Sequence, residues 1–224
     1  MKWPQLILIV ISFCWYHSTV LAQQKDFQAR MDVELKGDIT QDLSWSVYTS
    51  QRWKNNLHTA DKSILTPSLS YEALDFLSLG LGYRMSWMYD TYDNTRFYQR
   101  FQANVALKHK IDRLKLKYRS RLQTGFYKHE ASAHTLSENL VHRAKVQMSY
   151  RPFGTRIEPY AAAEFFNQLK AYDNPSFEKL RYVLGVEYQF KYFTLNAFYQ
   201  RDKEYNTTHP MTEHIAGLEL GYAF

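Results

Sequence analysis

Hydrophobic and polar positions alternate with a period of two along nearly the whole chain. Residues 214–224 show it most cleanly, with Ala216, Leu218, Leu220, Tyr222 and Phe224 on one face and Gly217, Glu219, Gly221 and Ala223 on the other. Such a pattern predicts a strand with one apolar face and one small or polar face. Near the start, Phe27, Ala29, Met31, Val33 and Leu35 face one way, and Gln28, Arg30, Asp32, Glu34 and Lys36 the other. Further strands are expected through Leu43–Val47, Leu65–Tyr71, Leu77–Trp87, Phe97–Leu107, Leu114–Phe126, Ala144–Tyr150, Ala161–Phe165, Tyr182–Tyr188 and Leu195–Tyr199. Pro67 cannot donate to a ladder, so its strand needs a weak or bulged position there.

The connections predicted between these strands are unequal. Short turns at 37–38, 74–76, 111–112, 152–154 and 191–192 alternate with longer polar loops at 54–62, 90–96, 128–137, 167–179 and 202–213. This is the asymmetry of an outer-membrane barrel, tight on the periplasmic side and longer outside. Aromatics on the apolar parity gather near both strand ends: Trp87, Phe97, Phe126 and Phe165 by the long loops, and Tyr71, Tyr150, Tyr188, Tyr222 and Phe224 by the short turns. Two belts of that kind are what the two interfaces of a bilayer select. The expected fold is therefore all-β, an antiparallel up-and-down transmembrane β-barrel. The walk along the chain yields eleven strands. Because bacterial single-chain barrels usually have even numbers, the expectation is about twelve, with one element merged, and ten as the alternative. The face formed by Leu218, Leu220, Tyr222 and Phe224 resembles the terminal strand of outer-membrane barrels, which the barrel-assembly machinery reads.

Residues 1–22 read as a cleaved signal peptide. Lys2 supplies the positive start, Leu6 to Trp15 the apolar core, and Val20-Leu21-Ala22 the cleavage positions, with cleavage between Ala22 and Gln23. The barrel domain then spans 23–224. Cys14, the single cysteine, lies inside this leader behind Phe13, which is not the small residue lipidation needs. A mature chain without a thiol has no disulfide, thiolate metal site or cysteine nucleophile. No segment beyond residue 22 is apolar for long enough to form a membrane-crossing helix. The mean hydropathy of −0.50 suits a soluble protein and equally a barrel whose alternate residues face a polar lumen. The formal charge of +6 falls to +5 when Lys2 is removed. An exported protein of that charge meets anionic lipopolysaccharide and small anions rather than nucleic acid.

Alternation alone does not say which face is inside, and a secreted soluble β-barrel binding a small ligand in its core is the competing reading. Leader, belts, loop asymmetry and Phe224 together favour apolar residues outside, in the outer membrane of a Gram-negative bacterium. The runs Leu77-Ser78-Leu79-Gly80-Leu81-Gly82-Tyr83-Arg84, Leu116-Lys117-Tyr118-Arg119-Ser120-Arg121-Leu122-Gln123 and Leu180-Arg181-Tyr182-Val183-Leu184-Gly185-Val186-Glu187-Tyr188 resemble those of the domain-of-unknown-function 2490 family of exported bacterial proteins. The resemblance covers most of the mature chain and implies fold and compartment, with no chemistry attached.

On this reading Arg84, Arg100, Lys115, Lys117, Arg119, Arg121, Arg143, Lys145 and Arg181 line the lumen, with Glu34, Glu158, Glu164, Glu187 and Glu219 on other strands. The lumen is then either a path that favours anions or a core filled by its own Arg–Glu pairs. The expected role is structural or passive, porin-like, with passage of small solutes as the sharper form. Outer-membrane lipid, lipopolysaccharide and the assembly machinery are the expected partners. No catalytic residue, metal or cofactor is expected. His58, His129, His134 and His209 fall on the long loops, His109 by a short turn, and His142 on the outward parity downstream of Ser137 and Glu138. None has the serine spacing of a barrel hydrolase, so a lipid-modifying enzyme is the third reading. Asp90 and Asp93 offer loop carboxylates for calcium, with ordinary solvated loops as the plainer account.

Overall fold

The computed structural model describes residues 24–89, 95–127, 135–170, 176–207 and 210–224. Eleven strands run through them: β1 (Gln24–Asp38), β2 (Leu43–Lys54), β3 (Thr59–Leu74), β4 (Leu77–Tyr89), β5 (Thr95–Ile111), β6 (Leu114–Tyr127), β7 (Thr135–Tyr150), β8 (Ile157–Lys170), β9 (Ser176–Gln189), β10 (Phe193–Glu204) and β11 (Met211–Ala223). Each pairs with its neighbours in sequence, and β1 with β11 closes the barrel. Neighbours in sequence are antiparallel. The closing pair is parallel, from Gln24↔Met211 to Lys36↔Ala223.

That seam corrects the expected strand count of twelve or ten. An even count is required only if every pair, the closing one included, is antiparallel. Here the thirteen-pair β1–β11 ladder closes in parallel, so eleven strands suffice and no element is merged. The amide N–H of Phe224 extends the seam by donating to the carbonyl of Lys36 at 3.0 Å.

The pleat sends the two sequence parities to opposite faces. Leu79, Leu81, Val105, Leu107, Leu122, Val146, Met148, Leu184, Val186, Leu218 and Leu220 all stand exposed on the outside. Among the described residues the buried hydrophobic side chains are only Ile64, Ala162, Phe198 and Ile215, and the other buried side chains are polar or charged, including Asp32, Gln102, Gln123, Arg143, Glu158, Glu164, Gln200 and Asp202. The usual arrangement of a water-soluble core is inverted. Several rings fill the interior by lying across a glycine on the next strand: Tyr98 over Gly125, Tyr160 over Gly185 and Phe198 over Gly217. A side chain at any of these glycines would occupy the space of the ring.

One rim carries the connections 39–42, 75–76, 112–113, 151–156 and 190–192, and the other the turn 55–58 and the strand ends Tyr89, Thr95, Tyr127, Thr135, Lys170, Ser176, Glu204 and Met211. Toward this second rim the strands run further than the sequence suggests. Lys62, Phe177, Lys179, Asp202 and Glu204, expected in loops, belong to strands. Three β-bulges explain part of the difference: register shifts with one extra residue fall at Arg52/Trp53, Leu140/Val141 and Phe166/Asn167, whereas β10, which carries Asp202 and Glu204, has none. A bulge inserts one residue and exchanges the two faces beyond it, so alternation breaks where the ladder continues. Pro67 pairs with Val47 on β2. On its β4 side the ladder lapses between Leu65↔Met85 and Ser68↔Gly82 without a change of register.

Aromatics crowd the short-turn rim, where Tyr71, Tyr150, Phe153, Tyr188, Tyr192, Tyr222 and Phe224 are exposed. Phe190 stacks on Phe193 at 4.2 Å between ring centroids. Nearer the other rim, Trp87 meets Phe97 at 5.3 Å and Phe165 meets Phe177 at 6.4 Å. Of the expected belt residues, the side chain of Phe126 lies outside the described set.

Candidate functional site

The interior encloses a cavity of about 560 Å³. Eleven strands bring its wall together because each lumen-facing position is followed two residues later by another on the same face. From β2 to β7 that wall carries Arg52, Lys62, Arg84, Arg100, Arg119, Arg121, Arg143 and Lys145 and, among the described residues, no carboxylate. From β8 through β11 to β1 it carries Glu34, Glu164, Glu187 and Glu219 with Arg30 and Arg181. The lumen is thus segregated, cationic on one arc and acidic or mixed on the other.

Eleven of the fourteen charged residues singled out from the sequence line this cavity: Arg84, Arg100, Arg119, Arg121, Arg143, Lys145, Arg181, Glu34, Glu164, Glu187 and Glu219. Lys115 and Glu158 pair instead toward the short-turn rim, where Glu158 accepts from Lys115 at 2.7 Å, Ser149 at 2.7 Å and Arg151 at 2.5 Å. Lys117 shares the lumen parity of β6 but is exposed.

Glu164, 3% exposed, is the acidic hub. It accepts from Arg119 Nη2 at 3.0 Å and from Arg143 Nε and Nη2 at 3.2 and 2.8 Å, and Arg181 Nη1 stands 3.5 Å away. Arg181 in turn grips Asp202 with two parallel bonds, Nε to Oδ1 at 2.9 Å and Nη2 to Oδ2 at 2.6 Å, the fork geometry that gives guanidinium–carboxylate pairs their strength. Gln200 donates to Asp202 at 2.9 Å and accepts from Arg30, which also holds Asp32 at 2.8 Å. The ring of Phe166 lies between Arg143 and Arg181, 4.4 and 5.0 Å from its centroid. One connected network therefore spans β6 to β10 and crosses the seam to β1.

The opposite arc is built differently. Arg84 donates to Thr66 at 3.2 Å, Arg100 lies over the ring of Tyr98 at 5.1 Å, Arg52 reaches Ser50 at 3.5 Å and Arg121 reaches Asn104 at 3.4 Å. None of these four, nor Lys145, is ion-paired among the described residues.

Sequence reasoning missed Arg52, Lys62, Asp32 and Asp202 as members of the site. Asp32 and Arg30 stood on the polar face of the first strand, so alternation alone could have found them. Arg52 sits at a bulge, and Lys62 and Asp202 were assigned to loops.

On the outer face, His142 Nε2 lies 2.9 Å from Ser120 Oγ, and Asn167 stands opposite His142 in the β7–β8 ladder. His58 is exposed in its turn and His109 beside the short-turn rim. His129, His134, His209, Asp90 and Asp93 lie outside the described residues, as do the leader and the Ala22–Gln23 cleavage pair.

Among solved structures, the beta domain of the Bordetella autotransporter Brka is similar, with a TM-score of 0.50 at 9% identity over 78% of this chain and 81% of that one. At such identity the likeness is one of fold, a β-barrel. No curated protein matches the chain. The model of a family described as a protein of unknown function, DUF2490, matches residues 27–213, taking in part or all of every strand, and the chain belongs to the DUF2490 family.

Proposed function

We propose that this protein is a β-barrel of the bacterial outer membrane, exported by a signal peptide and cleaved after Ala22. Its role is passive, with small anions favoured in a charged lumen. The observation that carries the reading is the inversion of faces: large apolar side chains exposed on ten of the eleven strands, all but β2, and charged ones enclosed. Water would penalise that outer surface, since contiguous apolar patches on soluble monomers rarely exceed a few hundred Å². A hydrocarbon layer is its natural solvent. The aromatic short-turn rim suits the periplasmic interface, and the exposed outer face of Leu218, Leu220, Tyr222 and Phe224 is the surface offered to the assembly machinery. In this reading the barrel is not an enzyme and takes no cofactor.

Cell fractionation tests the compartment. Recovery from the detergent-solubilised outer membrane with heat-modifiable gel mobility is the expected result, and a soluble periplasmic product rejects it. In planar bilayers the expected preference is for anions, weakened or reversed when Arg119 and Arg121 are both replaced by glutamate.

A second reading, hydrolysis of lipid at the membrane edge, has one observation in its favour. Ser120 and His142 form a hydrogen-bonded nucleophile–base pair on the outer face, and Ser120 lines an apolar groove with Leu79, Leu81, Val105 and Leu122. Among the described residues no side chain is hydrogen-bonded to the Nδ1 of His142, so the imidazole lacks the orienting group of a triad. Purified protein with no esterase activity on phospholipid vesicles, or activity unchanged by Ser120→Ala, disposes of this reading.

A further inference from the structure

We infer that the cationic arc of the lumen is a binding site for a multivalent oxyanion, a phosphate ester or a polycarboxylate, held between Arg52, Arg84, Arg100, Arg121 and Lys145. The inference deepens the anion-favouring reading of the lumen and rests on it: a passage that prefers anions need only carry net positive charge, whereas this arc has the features of a place where one stops.

The first feature is the register. The ladders set like charges directly opposite each other four times on this arc: Arg52↔Lys62, Arg84↔Arg100, Arg119↔Lys145 and Arg121↔Arg143. Like charges in directly opposed positions destabilise a sheet, and a fold selected for stability alone would alternate their sign. Acidic like pairs stand opposite each other on the other arc, at Asp32↔Glu219, Glu158↔Glu187 and Asp202↔Glu213, so the register sorts the two signs into separate regions, which meet where Glu164 stands between Lys145 and Arg181.

The second feature is the incomplete pairing. Glu164 neutralises Arg119, Arg143 and Arg181 from its own side of the cavity. Among the described residues none of the five residues named above is ion-paired with a carboxylate, although all line the same enclosed space and Glu164 is within electrostatic reach of Arg121 and Lys145. Arg84 lies within electrostatic reach of Arg52, Arg100 and Arg143, and Arg121 within reach of Arg84, Arg119 and Arg143.

The third is that buried donors are left over. The Nε–H groups of Arg119 and Arg121 are enclosed and have no hydrogen-bond partner. A buried donor without a partner is costly, the more so when charged, so water or a bound anion is left to accept from them.

The chemistry of the ligand follows from the side chains. Four of the five are arginine, whose planar fork matches the paired oxygens of carboxylate and phosphate, while a lysine is a point charge. Guanidinium groups arriving from β2, β4, β5 and β6 approach from several directions. They suit an ion with several oxygens better than a halide, and one with two or more charges better than acetate. A cavity of about 560 Å³ falls within the ordinary range for small-molecule sites, about 300–1,000 Å³.

The test is a titration of the purified full-length barrel in detergent at low ionic strength, followed by calorimetry and thermal unfolding. The probes are inorganic pyrophosphate and citrate, with acetate and chloride at matched ionic strength. The expected result is saturable binding of one pyrophosphate or one citrate, a raised unfolding temperature, and no saturation by acetate or chloride. The tighter of the two probes says whether the natural ligand is a phosphate or a carboxylate. Arg84→Gln and Arg121→Gln should each weaken binding roughly tenfold or more. Arg84→Lys, which keeps the charge and loses the fork, should recover only part of it, and Lys191→Gln in the 190–192 turn should change nothing. Heat-modifiable mobility shows that each variant is folded. Multivalent ions that bind no better than acetate, or affinity unmoved in a folded Arg84→Gln barrel, overturn the inference. Binding without any bilayer conductance rejects passage and leaves the site standing, whereas conductance without saturable binding does the reverse.

Discussion

Replacing Glu164 with glutamine is expected to destabilise the barrel by roughly 3–5 kcal/mol, the usual cost of removing one partner from a buried charge network. Glu164 is the shared acceptor of Arg119 and Arg143 and stands 3.5 Å from Arg181. The amide keeps the volume but removes the negative charge, and three guanidinium groups are left around one neutral side chain. The loss should appear as a lowered midpoint in denaturant unfolding of detergent-solubilised protein, read by gel mobility. Adding Arg143→Gln to Glu164→Gln should give back part of the loss, because the two residues are in contact and their effects are not additive. If an oxyanion occupies the opposite arc, pyrophosphate should also stabilise the Glu164→Gln barrel more than the parent. A midpoint within error of the parent would mean that the network is decoration rather than structure.

Leu184→Arg should act from the other face. Leu184 is 62% exposed and stands at the centre of the outward run Leu180, Tyr182, Leu184, Val186 and Tyr188 of β9. In the proposed membrane orientation an arginine there would meet the bilayer near its midplane, where the penalty is roughly 2–4 kcal/mol. Membrane-inserted protein should fall several-fold, and unfolding from lipid vesicles should need less denaturant. Water charges no such penalty, so the same substitution in a soluble barrel would leave folding unchanged or improve solubility. The variant therefore separates the two readings by sign. Arginine placed at Val183, which faces the lumen, controls for size and charge in general.

How far the chain could be read depended on where its faces stayed in step. Between the bulges the alternation was unbroken, so strands, register parity and the lumen positions Arg119, Arg121 and Arg181 were all legible from spacing. The upper ends of the strands were not. At Arg52/Trp53 and Phe166/Asn167 a single inserted residue exchanges inside for outside, and a reader following period two sees the pattern stop. Lys54 and Asn167, the expected first loop residues, lie one residue beyond Trp53 and at the shift itself. Beyond the proposed hydrocarbon layer the outer face would have no need to be apolar, and Asp202 and Lys62 sit on strand ends whose composition reads as loop. The strand count failed for a different reason. The walk gave eleven, and a rule about even numbers moved it to twelve. No local feature of Gln24–Asp38 tells whether that strand will meet its last neighbour in parallel or in opposition. The pairing of charges was equally out of reach, since it depends on which strands face each other across the lumen.

The parallel seam has a consequence for how such a barrel enters a membrane. In the proposed orientation β2 with β3, β4 with β5, and so on to β10 with β11 form five hairpins, each able to cross with its loop leading and both feet left behind. β1 belongs to none of them. It joins β2 through the connection 39–42 at the short-turn rim, while Gln24 lies at the far rim beside Met211. If the leader is removed after Ala22 as proposed, five translocation events carry closed loops and a sixth carries the N-terminal end of β1. A reporter fused before Gln24 and one fused after Phe224 would finish in different compartments.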